Sequence, residues 1–201
     1  RTICNKWIIC GVYSNCHLWI YQLEQTTSNI SKFSTIVFTG AESTGKSTLC
    51  KGIAAQLKLD RLDEQARKYL ESLKRKYTYN DVLEIAKIQH QAQTEFLEIP
   101  HQYNLLDTDL LTIKIWLDDK FEKQHSWIEE EIIKSADKTL YVLCLPDFAW
   151  HCDKLREDEN RRDEITQLYR DAFTKYKLDY INVNGSVKNR ESQVLNHIKV
   201  F

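Results

Sequence analysis

The segment that decides the fold is GAESTGKS, which runs from Gly40 to Ser47. It fits the pattern G-x-x-x-x-G-K-[ST], and each fixed position of that pattern has a chemical reason. Glycines let the backbone turn through conformations that are closed to other residues, so that its N–H groups can surround phosphate oxygens. The lysine reaches the β- and γ-phosphates of a nucleotide, and the serine hydroxyl takes a place on Mg²⁺. The segment therefore predicts a phosphate-binding loop, or P-loop.

The residues around this loop provide the structural context that it requires. Thr35 to Thr39 has the β-branched and aromatic composition of a short buried strand, and Ser47 to Leu57 has the pattern of a helix. The chain holds only five glycines, and two of them occupy the required positions. The alternative interpretation is a flexible turn before a helix, with no ligand. If the loop binds ATP or GTP, the predicted contacts are Gly40, Ala41, Glu42, Ser43, Thr44, Gly45, Lys46, Ser47 and Thr48.

Composition and charge argue against several classes of protein. Apolar residues make up 42% of the chain and charged residues 28%, as in globular rather than disordered proteins. The net charge of −1 gives no long-range positive field, so we expect no nucleic-acid partner, although a local basic site stays open. The six cysteines include no C-x-x-C pair, which argues against a zinc knuckle and favours reduced thiols in a cytoplasmic protein.

The first 33 residues differ from the rest of the chain. Residues 7–23 carry no charge, yet polar side chains interrupt what would be a cleaner apolar run in a membrane helix. We therefore expect no membrane insertion and interpret residues 1–33 as an N-terminal extension of unknown role, with export or membrane contact as the alternative. The absence of methionine, even at position 1, favours a fragment or a processed product. Residues 34–201 are predicted to form one P-loop domain.

Downstream of the loop, predicted strands alternate with predicted helices. The further strands are Lys58 to Asp63, Tyr103 to Asp107, Thr139 to Leu145 and Tyr180 to Val183. The further helices are Asp81 to Phe96 (with Thr78 and Asp81 as a capping box), Trp127 to Ser135, Arg162 to Tyr176 and Lys188 to Lys199. This alternation is typical of a mainly parallel sheet covered on both faces. The predicted fold class is therefore α/β, a three-layer α/β/α P-loop NTPase fold with a parallel five-stranded sheet.

Carboxylates follow two of the predicted strands. Asp107 ends the apolar run that begins at Tyr103, where a metal-binding aspartate of a P-loop protein would stand, and Asp109 comes two residues later. A turn-forming Asp-Thr-Asp at a strand end is the alternative. Asp63 and Glu64 end the second strand. Because ligands of open α/β sheets gather at the carboxyl ends of the strands, these carboxylates are expected to share one crevice with the P-loop.

A charged segment follows the fourth predicted strand. Lys154 to Arg162 reads KLREDENRR. Its arginines would be able to fold over bound phosphates as a lid and neutralise charge as a phosphoryl group moves. The alternative is a solvated start of a helix in which neighbouring acids compensate the arginines. Charge alone favours the alternative.

One polar side chain falls on an apolar helix face. Gln89 lies at helical spacing among Val82, Ile85, Ala86 and other apolar residues. A buried amide needs a hydrogen-bond partner. That partner is either a ligand or the backbone, and the sequence does not decide between them.

Taken together, these motifs resemble a known family. GAESTGKST is followed by Glu64-x-x-Arg67, by Gln89, by LLDTDLLT from Leu105, and by Trp150-x-x-Asp153-x-Leu155-Arg156. In combination they resemble the nicotinamide riboside kinase domain of NadR-type proteins, in the AAA-type P-loop NTPase family. The resemblance covers residues 34–198, and only its first motif is specific alone.

The resemblance implies a kinase that transfers the γ-phosphoryl group of ATP to the 5′-hydroxyl of a nucleoside such as nicotinamide riboside. It implies the strand order 2-3-1-4-5, and Mg²⁺ held by Ser47 and Asp107. Catalysis would involve Lys46, Asp107, Glu64 or Asp63 as the base, and Arg156 and Arg161 of the lid. Substrate contacts would come from Glu64, Arg67, Gln89, Asp109 and Trp150, the last by stacking on a base or merely by packing. A regulatory ATPase or GTPase module without kinase activity is the alternative function.

Overall fold

The computed structural model describes residues 32–198 and contains one sheet of five parallel strands in the order β2-β3-β1-β4-β5. The predicted α/β class and strand order are therefore confirmed. The predictions for residues 1–31 and for the end of the last helix at Lys199 lie outside the described residues. The strands are β1 (Thr35–Thr39), β2 (Arg61–Leu62), β3 (Asn104–Asp107), β4 (Thr139–Cys144) and β5 (Asp179–Val183).

Helices connect the strands and cover both faces of the sheet. Among residues 32–198 there are also two single turns of 3₁₀ helix, at Ala136–Lys138 and Glu159–Arg161. Within residues 32–198 the α-helices are α1 (Lys46–Leu57), α2 (Ala66–Ser72), α3 (Tyr79–Leu97), α4 (Leu110–Phe121), α5 (Ser126–Ser135), α6 (Arg162–Tyr176) and α7 (Val187–Ile198).

The central strand β1 separates two apolar cores. All five of its residues are buried, and successive side chains point to opposite faces. Ile36 and Phe38 pack with apolar residues of α1 and α7, whereas Val37 packs with those of α3, α4 and α6. Complete burial of such a side chain contributes about 1.5–3 kcal/mol. The sheet is thus held from both sides, and the carboxyl ends of its strands are left to form a site.

The predicted capping box begins α3 as expected. Thr78 is the N-cap, its hydroxyl accepts from the N–H of Asp81, and the Asp81 carboxylate accepts from the N–H of Thr78 at 2.7 Å. Arg75 adds an ion pair to Asp81 at 2.6 Å, and its hydrogen bond holds the pKa of that carboxyl well below the usual value. A local pattern of two side chains was therefore sufficient to find this helix start.

Three elements differ from the sequence prediction. Strand β2 comprises only Arg61–Leu62, because α1 ends at Leu57 and Lys58 turns the chain with a φ of 55°. Helix α4 was not predicted, since its residues face neighbours on several sides and the buried run shows no helical stripe. Helix α2 was also missed, because seven residues are too few for a clear period.

Two findings concern the chemistry of the whole domain. Across the described range of 32–198, no helix combines the length and the apolar character that a membrane crossing requires. Three cysteines in this range, Cys50, Cys144 and Cys152, are free thiols. Burial raises the pKa of Cys144 to about 11, so this thiol stays protonated and packs as an apolar side chain.

Candidate functional site

The P-loop follows β1 directly and turns through three residues with positive φ. The φ angles are 133° at Gly40, 57° at Ser43 and 83° at Gly45. A Cβ atom at Gly40 would lie 2.7 Å from the carbonyl oxygen of Cys144 in β4, so only glycine fits there without a shift of the sheet. Gly45 is the N-cap of α1, which places the positive end of that helix at the end of the loop.

The lysine of the motif lies over this loop. Lys46 is half-buried, and its Nζ donates to the carbonyl oxygen of Ala41 at 2.8 Å. The buried hydroxyl of Thr44 donates to the same oxygen at 2.8 Å. The ammonium group is therefore beside the loop amides and is not enclosed by packed side chains. Thr48, also among the predicted contacts, is exposed on α1.

The oxygen donors predicted to hold Mg²⁺ lie together. Asp107 ends β3, in register with Phe38 of β1, and Ser47 donates a hydrogen bond to its carboxylate. Asp107 is 3% exposed, and its Oδ1 has no hydrogen-bond partner within the described residues. Burial raises the pKa of Asp107, while the bond from Ser47 and the charge of Lys46 oppose that rise. A buried carboxylate oxygen beside a hydroxyl fits a hard cation that completes its shell with phosphate and water oxygens.

This donor set is small. Over the part of the chain that the structure describes, no group of three or more His, Cys, Asp or Glu side chains is placed to hold a metal ion. Mg²⁺ is usually bound by one or two carboxylates together with the phosphates of a substrate, so the pair formed by Ser47 and Asp107 suits it better than it suits Ca²⁺ or Zn²⁺.

The two carboxylates after β2 have different surroundings. The side chain of Asp63 is 58% exposed and accepts from Arg61 at 2.9 Å. Glu64 is half-buried, and the charges of Lys46, Asp107 and Arg67 act on its carboxylate. Burial raises the pKa of Glu64, and Lys46 opposes that rise. Of the two predicted candidates for the base, Glu64 is therefore the more buried one, and the charge of Lys46 acts on its carboxylate.

Gln89 connects α3 to the segment after β2. It is 1% exposed, and its Oε1 accepts from the backbone N–H of Gln65 at 3.1 Å. Its buried Nε2 has no hydrogen-bond partner among residues 32–198. The backbone thus takes one side of the amide, and the other side keeps a donor that a ligand would satisfy. The backbone alternative is therefore observed for Oε1, and a ligand contact of Nε2 stays a prediction.

Asp109 has a structural role, because both of its carboxylate oxygens accept hydrogen bonds within the fold. One oxygen accepts from the N–H of Leu111 at 3.0 Å, which caps α4, and the other accepts from the hydroxyl of Tyr141 at 2.7 Å. Burial raises the pKa of Asp109 to about 6. In this conformation both oxygens are engaged, and its predicted contact with a substrate stays a prediction.

The segment after β4, residues 146–161, lies against the P-loop and is called the lid segment below. The carboxylate of Glu42 accepts from the backbone N–H groups of Glu157 at 2.9 Å and Asp158 at 3.2 Å. The hydroxyl of Ser43 accepts from the N–H of His151 at 3.0 Å. Two side chains of the phosphate loop thereby hold the lid segment. Sequence reasoning missed this role of Glu42, since nothing in the motif fixes the residue at that position.

The arginines of the lid segment have different hydrogen-bond and ion-pair partners. Arg161 pairs with Asp119 of α4 at 2.6 Å and with Glu164 of α6 at 2.8 Å. Arg156 donates to the carbonyl oxygen of His151 at 2.6 Å. A further ion pair joins Arg67 of α2 to Asp153 at 3.2 Å. Arg67 and Arg161 are thus compensated by acidic side chains, as the second sequence alternative expects, and a lid over bound phosphates stays a prediction.

Trp150 lies at the base of the lid segment, half-buried, with the guanidinium of Arg162 5.8 Å from its ring centroid. This arrangement supports a packing role in the present conformation. Stacking on a nucleobase stays a prediction. Arg162 also donates to the carbonyl oxygen of Phe148 at 2.8 Å, and so fastens α6 to the lid segment. In the sequence, Arg162 was noted only as the last residue of the charged run KLREDENRR, and these contacts were not predicted.

Loss of the Glu42 carboxylate is expected to free the lid segment. Hydrogen bonds to a charged acceptor contribute about 1.5–3 kcal/mol each when they are shielded, and less when water competes. Glu42→Ala should therefore increase the rate of limited trypsin cleavage after Lys154 and Arg156 about tenfold. Glu159→Ala, at an exposed position in the same segment, is the matched control. Equal cleavage rates in both variants would show that Glu42 does not hold the lid.

Comparison with known proteins identifies a family and a fold. The model of the AAA domain family matches residues 35–190. The crystal structure of NadR protein in complex with NR has a TM-score of 0.69 at 16% identity, covers 94% of this chain, and is itself covered over 60% of its length. This chain therefore spans 60% of that structure.

Two further solved structures have the same fold. Deoxyadenosine kinase from M. mycoides has a TM-score of 0.57 at 14% identity, with 82% of this chain and 98% of that chain covered. Thymidylate kinase from Candida albicans has a TM-score of 0.50 at 11% identity, with 84% and 92% covered. At these identities the likeness concerns the fold.

Proposed function

The chain belongs to the AAA domain family, and on that basis we propose that it is a cytoplasmic, ATP-dependent P-loop kinase with a small nucleoside-type acceptor. Nicotinamide riboside is the first acceptor to test. The proposal is supported by the fold shared with NadR, which was solved with NR, and with two kinases of nucleosides and nucleotides. It would place the protein in NAD biosynthesis.

The observation that carries the proposal is the position of Glu64. The charges of the P-loop lysine and of Asp107 both act on this carboxylate, which follows β2. A protein that only binds nucleotide needs no carboxylate there, whereas a kinase needs a group that orients the acceptor hydroxyl and takes its proton. Arg67 lies on α2, directly after β2, and Gln89 lies on α3 with its Nε2 unpartnered among the described residues. Both would supply hydrogen-bond donors for an acceptor.

In the proposed reaction, the acceptor hydroxyl oxygen forms a bond to the γ-phosphorus of ATP. The bond from that phosphorus to the bridging oxygen breaks, and its electron pair leaves with ADP. The hydroxyl proton passes to the Glu64 carboxylate. The loop N–H groups and Lys46 hold the phosphates, and Ser47 and Asp107 would hold Mg²⁺, which when bound neutralises phosphate charge. Most of the rate would come from positioning and charge neutralisation.

The lid arginines complete the proposed site. Arg156 uses one hydrogen bond to a backbone carbonyl and can exchange it for a phosphate oxygen. Arg161 would have to leave Asp119 and Glu164 to do the same. We therefore expect Arg156 to contribute more to phosphoryl transfer than Arg161. Asp63, exposed and paired with Arg61, takes no part in the proposed step.

A direct test is a phosphoryl-transfer assay with ATP, Mg²⁺ and a panel that contains nicotinamide riboside and the common nucleosides. Formation of the 5′-phosphate of one acceptor, together with ADP in equal amount, is the expected result. Nucleotide binding with no transfer to any member of the panel would contradict the kinase proposal. Preference for GTP over ATP would correct the nucleotide and leave the reaction class unchanged.

The alternative, a regulatory nucleotide-binding module, has one observation in its favour. Arg161 is held by carboxylates of α4 and α6. Such a link would let the lid segment transmit a change of bound nucleotide to the rest of the domain. This alternative gains if nucleotide changes the affinity for a protein partner while Glu64→Gln leaves turnover unaltered.

The pH dependence follows from the surroundings of Glu64. The proposed base must be ionised, and burial raises its pKa above the ordinary value of 4.5. The value of kcat/KM should therefore be highest above the raised pKa and fall as the pH decreases through it, about tenfold per pH unit at the acid end. Glu64→Gln should lower kcat about 10²- to 10⁴-fold and remove this acid limb.

The control for this experiment is Asp63→Asn, at the exposed neighbouring carboxylate. It should keep both the rate and the acid limb of the wild type. Because titration of ATP affects this variant and Glu64→Gln equally, comparing the two also corrects for that titration. If Glu64→Gln retained wild-type kcat with an unchanged acid limb, Glu64 would not be the base.

A further inference from the structure

Arg190, in the first turn of α7, is the most completely buried cation in the described part of the chain, and no step of the proposed reaction uses it. It is 1% exposed. Its guanidinium donates to three backbone carbonyl oxygens, those of Gly185 at 3.0 Å, Thr44 at 2.7 Å and Leu145 at 2.9 Å. It also forms an ion pair with Asp147. These partners lie in three separate segments: the P-loop, residues 145–147 after β4, and the turn before α7.

The bond to Thr44 fixes one peptide group of the P-loop. A trans peptide group is planar, and its C=O and N–H point in opposite directions. Because Arg190 holds the carbonyl of Thr44, the N–H of Gly45 in the same plane is directed away from Arg190. Loop amides are the groups that hold phosphates in such a motif. Arg190 therefore sets the direction of one loop N–H, a group of the kind that holds phosphates in this motif.

The same guanidinium also controls the base of the lid segment. It lies 4.3 Å from the ring centroid of Phe148, a distance suited to a cation–π contact. That ring rests on the P-loop, since a Cβ atom at Gly45 would lie 3.1 Å from it. Asp147 additionally accepts from the N–H of Gly185. The base of the lid and the loop are thereby set in one arrangement by a single side chain.

This arrangement needs an arginine. A buried charge without partners would be strongly destabilising, and here each of the three guanidinium nitrogens donates at least one hydrogen bond. The planar fork presents several N–H groups in fixed directions, so it reaches carbonyls of three segments at once. A lysine ammonium at the same place is a point donor that can serve one or two of them.

We infer that Arg190 is a positioning residue that holds the Thr44–Gly45 peptide and the base of the lid segment in the orientation that binds nucleotide. The inference rests on the proposed function for its ligand. It predicts different effects on affinity and on rate. Loss of Arg190 weakens nucleotide binding more than it lowers kcat at saturating nucleotide, because the groups that act on the γ-phosphoryl itself remain in place.

The test compares Arg190→Lys with Val194→Ala, which opens a cavity one turn further along the same helix. Val194 packs in the core beside β1, in a cluster that contains none of residues 40–47. Both variants should unfold at a lower temperature than the wild type. Titration calorimetry with MgATP should show the Kd raised about tenfold in Arg190→Lys and unchanged within about twofold in Val194→Ala. The kcat of Arg190→Lys at saturating ATP should remain within about threefold of the wild type.

A measurement without nucleotide separates this inference from the proposed function. Amide hydrogen exchange at Gly45 should be faster in Arg190→Lys than in the wild type, and equal to the wild type in Val194→Ala. If Arg190→Lys does not fold, Asp147→Asn takes its place, since it removes the charge of one partner of Arg190 only. Asp147→Asn should also show faster exchange at Gly45 and weaker binding of MgATP, both to a smaller extent. Wild-type exchange at Gly45 and wild-type affinity in a folded Arg190 variant would overturn the inference. A wild-type protein that binds no nucleotide would overturn the proposed function instead.

Discussion

Replacement of Lys46 by alanine is expected to lower kcat/KM for ATP about 10²- to 10³-fold, the effect of removing one charged donor from a preorganised site. The side chain is half-buried and anchored at 2.8 Å on the carbonyl of Ala41. It is therefore in place beside the loop before nucleotide arrives. In the bound state its ammonium would exchange this carbonyl for phosphate oxygens, which are better acceptors because they are charged.

Lys188→Ala is the matched control for this change. Lys188 is exposed on α7, and its replacement removes the same charge from a residue outside the P-loop motif. We expect this variant to keep wild-type kcat/KM. Unfolding temperatures of both variants should stay close to that of the wild type, because neither position contributes to a core. If Lys46→Ala binds MgATP as tightly as Lys188→Ala, the loop does not hold phosphates.

Replacement of Gly40 by alanine is expected to abolish nucleotide binding and to destabilise the fold by roughly 2–4 kcal/mol. The φ angle of 133° lies in a region that residues with a Cβ rarely adopt. The added methyl group would also stand 2.7 Å from the carbonyl oxygen of Cys144, which belongs to the central sheet and cannot rotate aside. Denaturant unfolding and MgATP titration measure the two effects.

Gly52→Ala separates this effect from a general intolerance of glycine replacement. Gly52 lies inside α1, and a Cβ there would meet only the carboxylate end of Glu191, a flexible side chain. Alanine favours the helix over glycine by about 1 kcal/mol, so the net change should stay within about 1 kcal/mol. If Gly40→Ala were as mild as Gly52→Ala, the loop would not need its observed conformation.

The sequence was most informative where a few neighbouring residues determine the geometry. The P-loop, the capping box of α3 and the helix from Arg162 to Tyr176 could all be found because their signals are local. The strand order came from the resemblance, since pairing between strands far apart in the chain leaves little local trace. Local patterns therefore sufficed for the P-loop and the α/β class, whereas the order of the strands needed the family.

The arrangement of the site beyond the loop was less accessible. Asp109 and Asp107 are equally acidic in the sequence. Only the structure shows that Asp109 caps α4 and accepts from Tyr141, while an oxygen of Asp107 stays without a partner among the described residues. Arg190 carried no signal, because a basic residue in a polar helix is usually solvated. Its partners come from residues about 5, 45 and 146 positions away, so only the folded chain brings them together.

The most direct measurement is a crystal structure of the wild-type protein with Mg²⁺, a non-hydrolysable ATP analogue and the acceptor selected by the transfer assay. We predict the β- and γ-phosphates within hydrogen-bond distance of the loop N–H groups and of Lys46 Nζ, with Mg²⁺ on Ser47 and the acceptor hydroxyl beside Glu64. A triphosphate bound away from residues 40–48, or a Lys46 still bonded to Ala41 at saturating nucleotide, would contradict the proposed role of the loop.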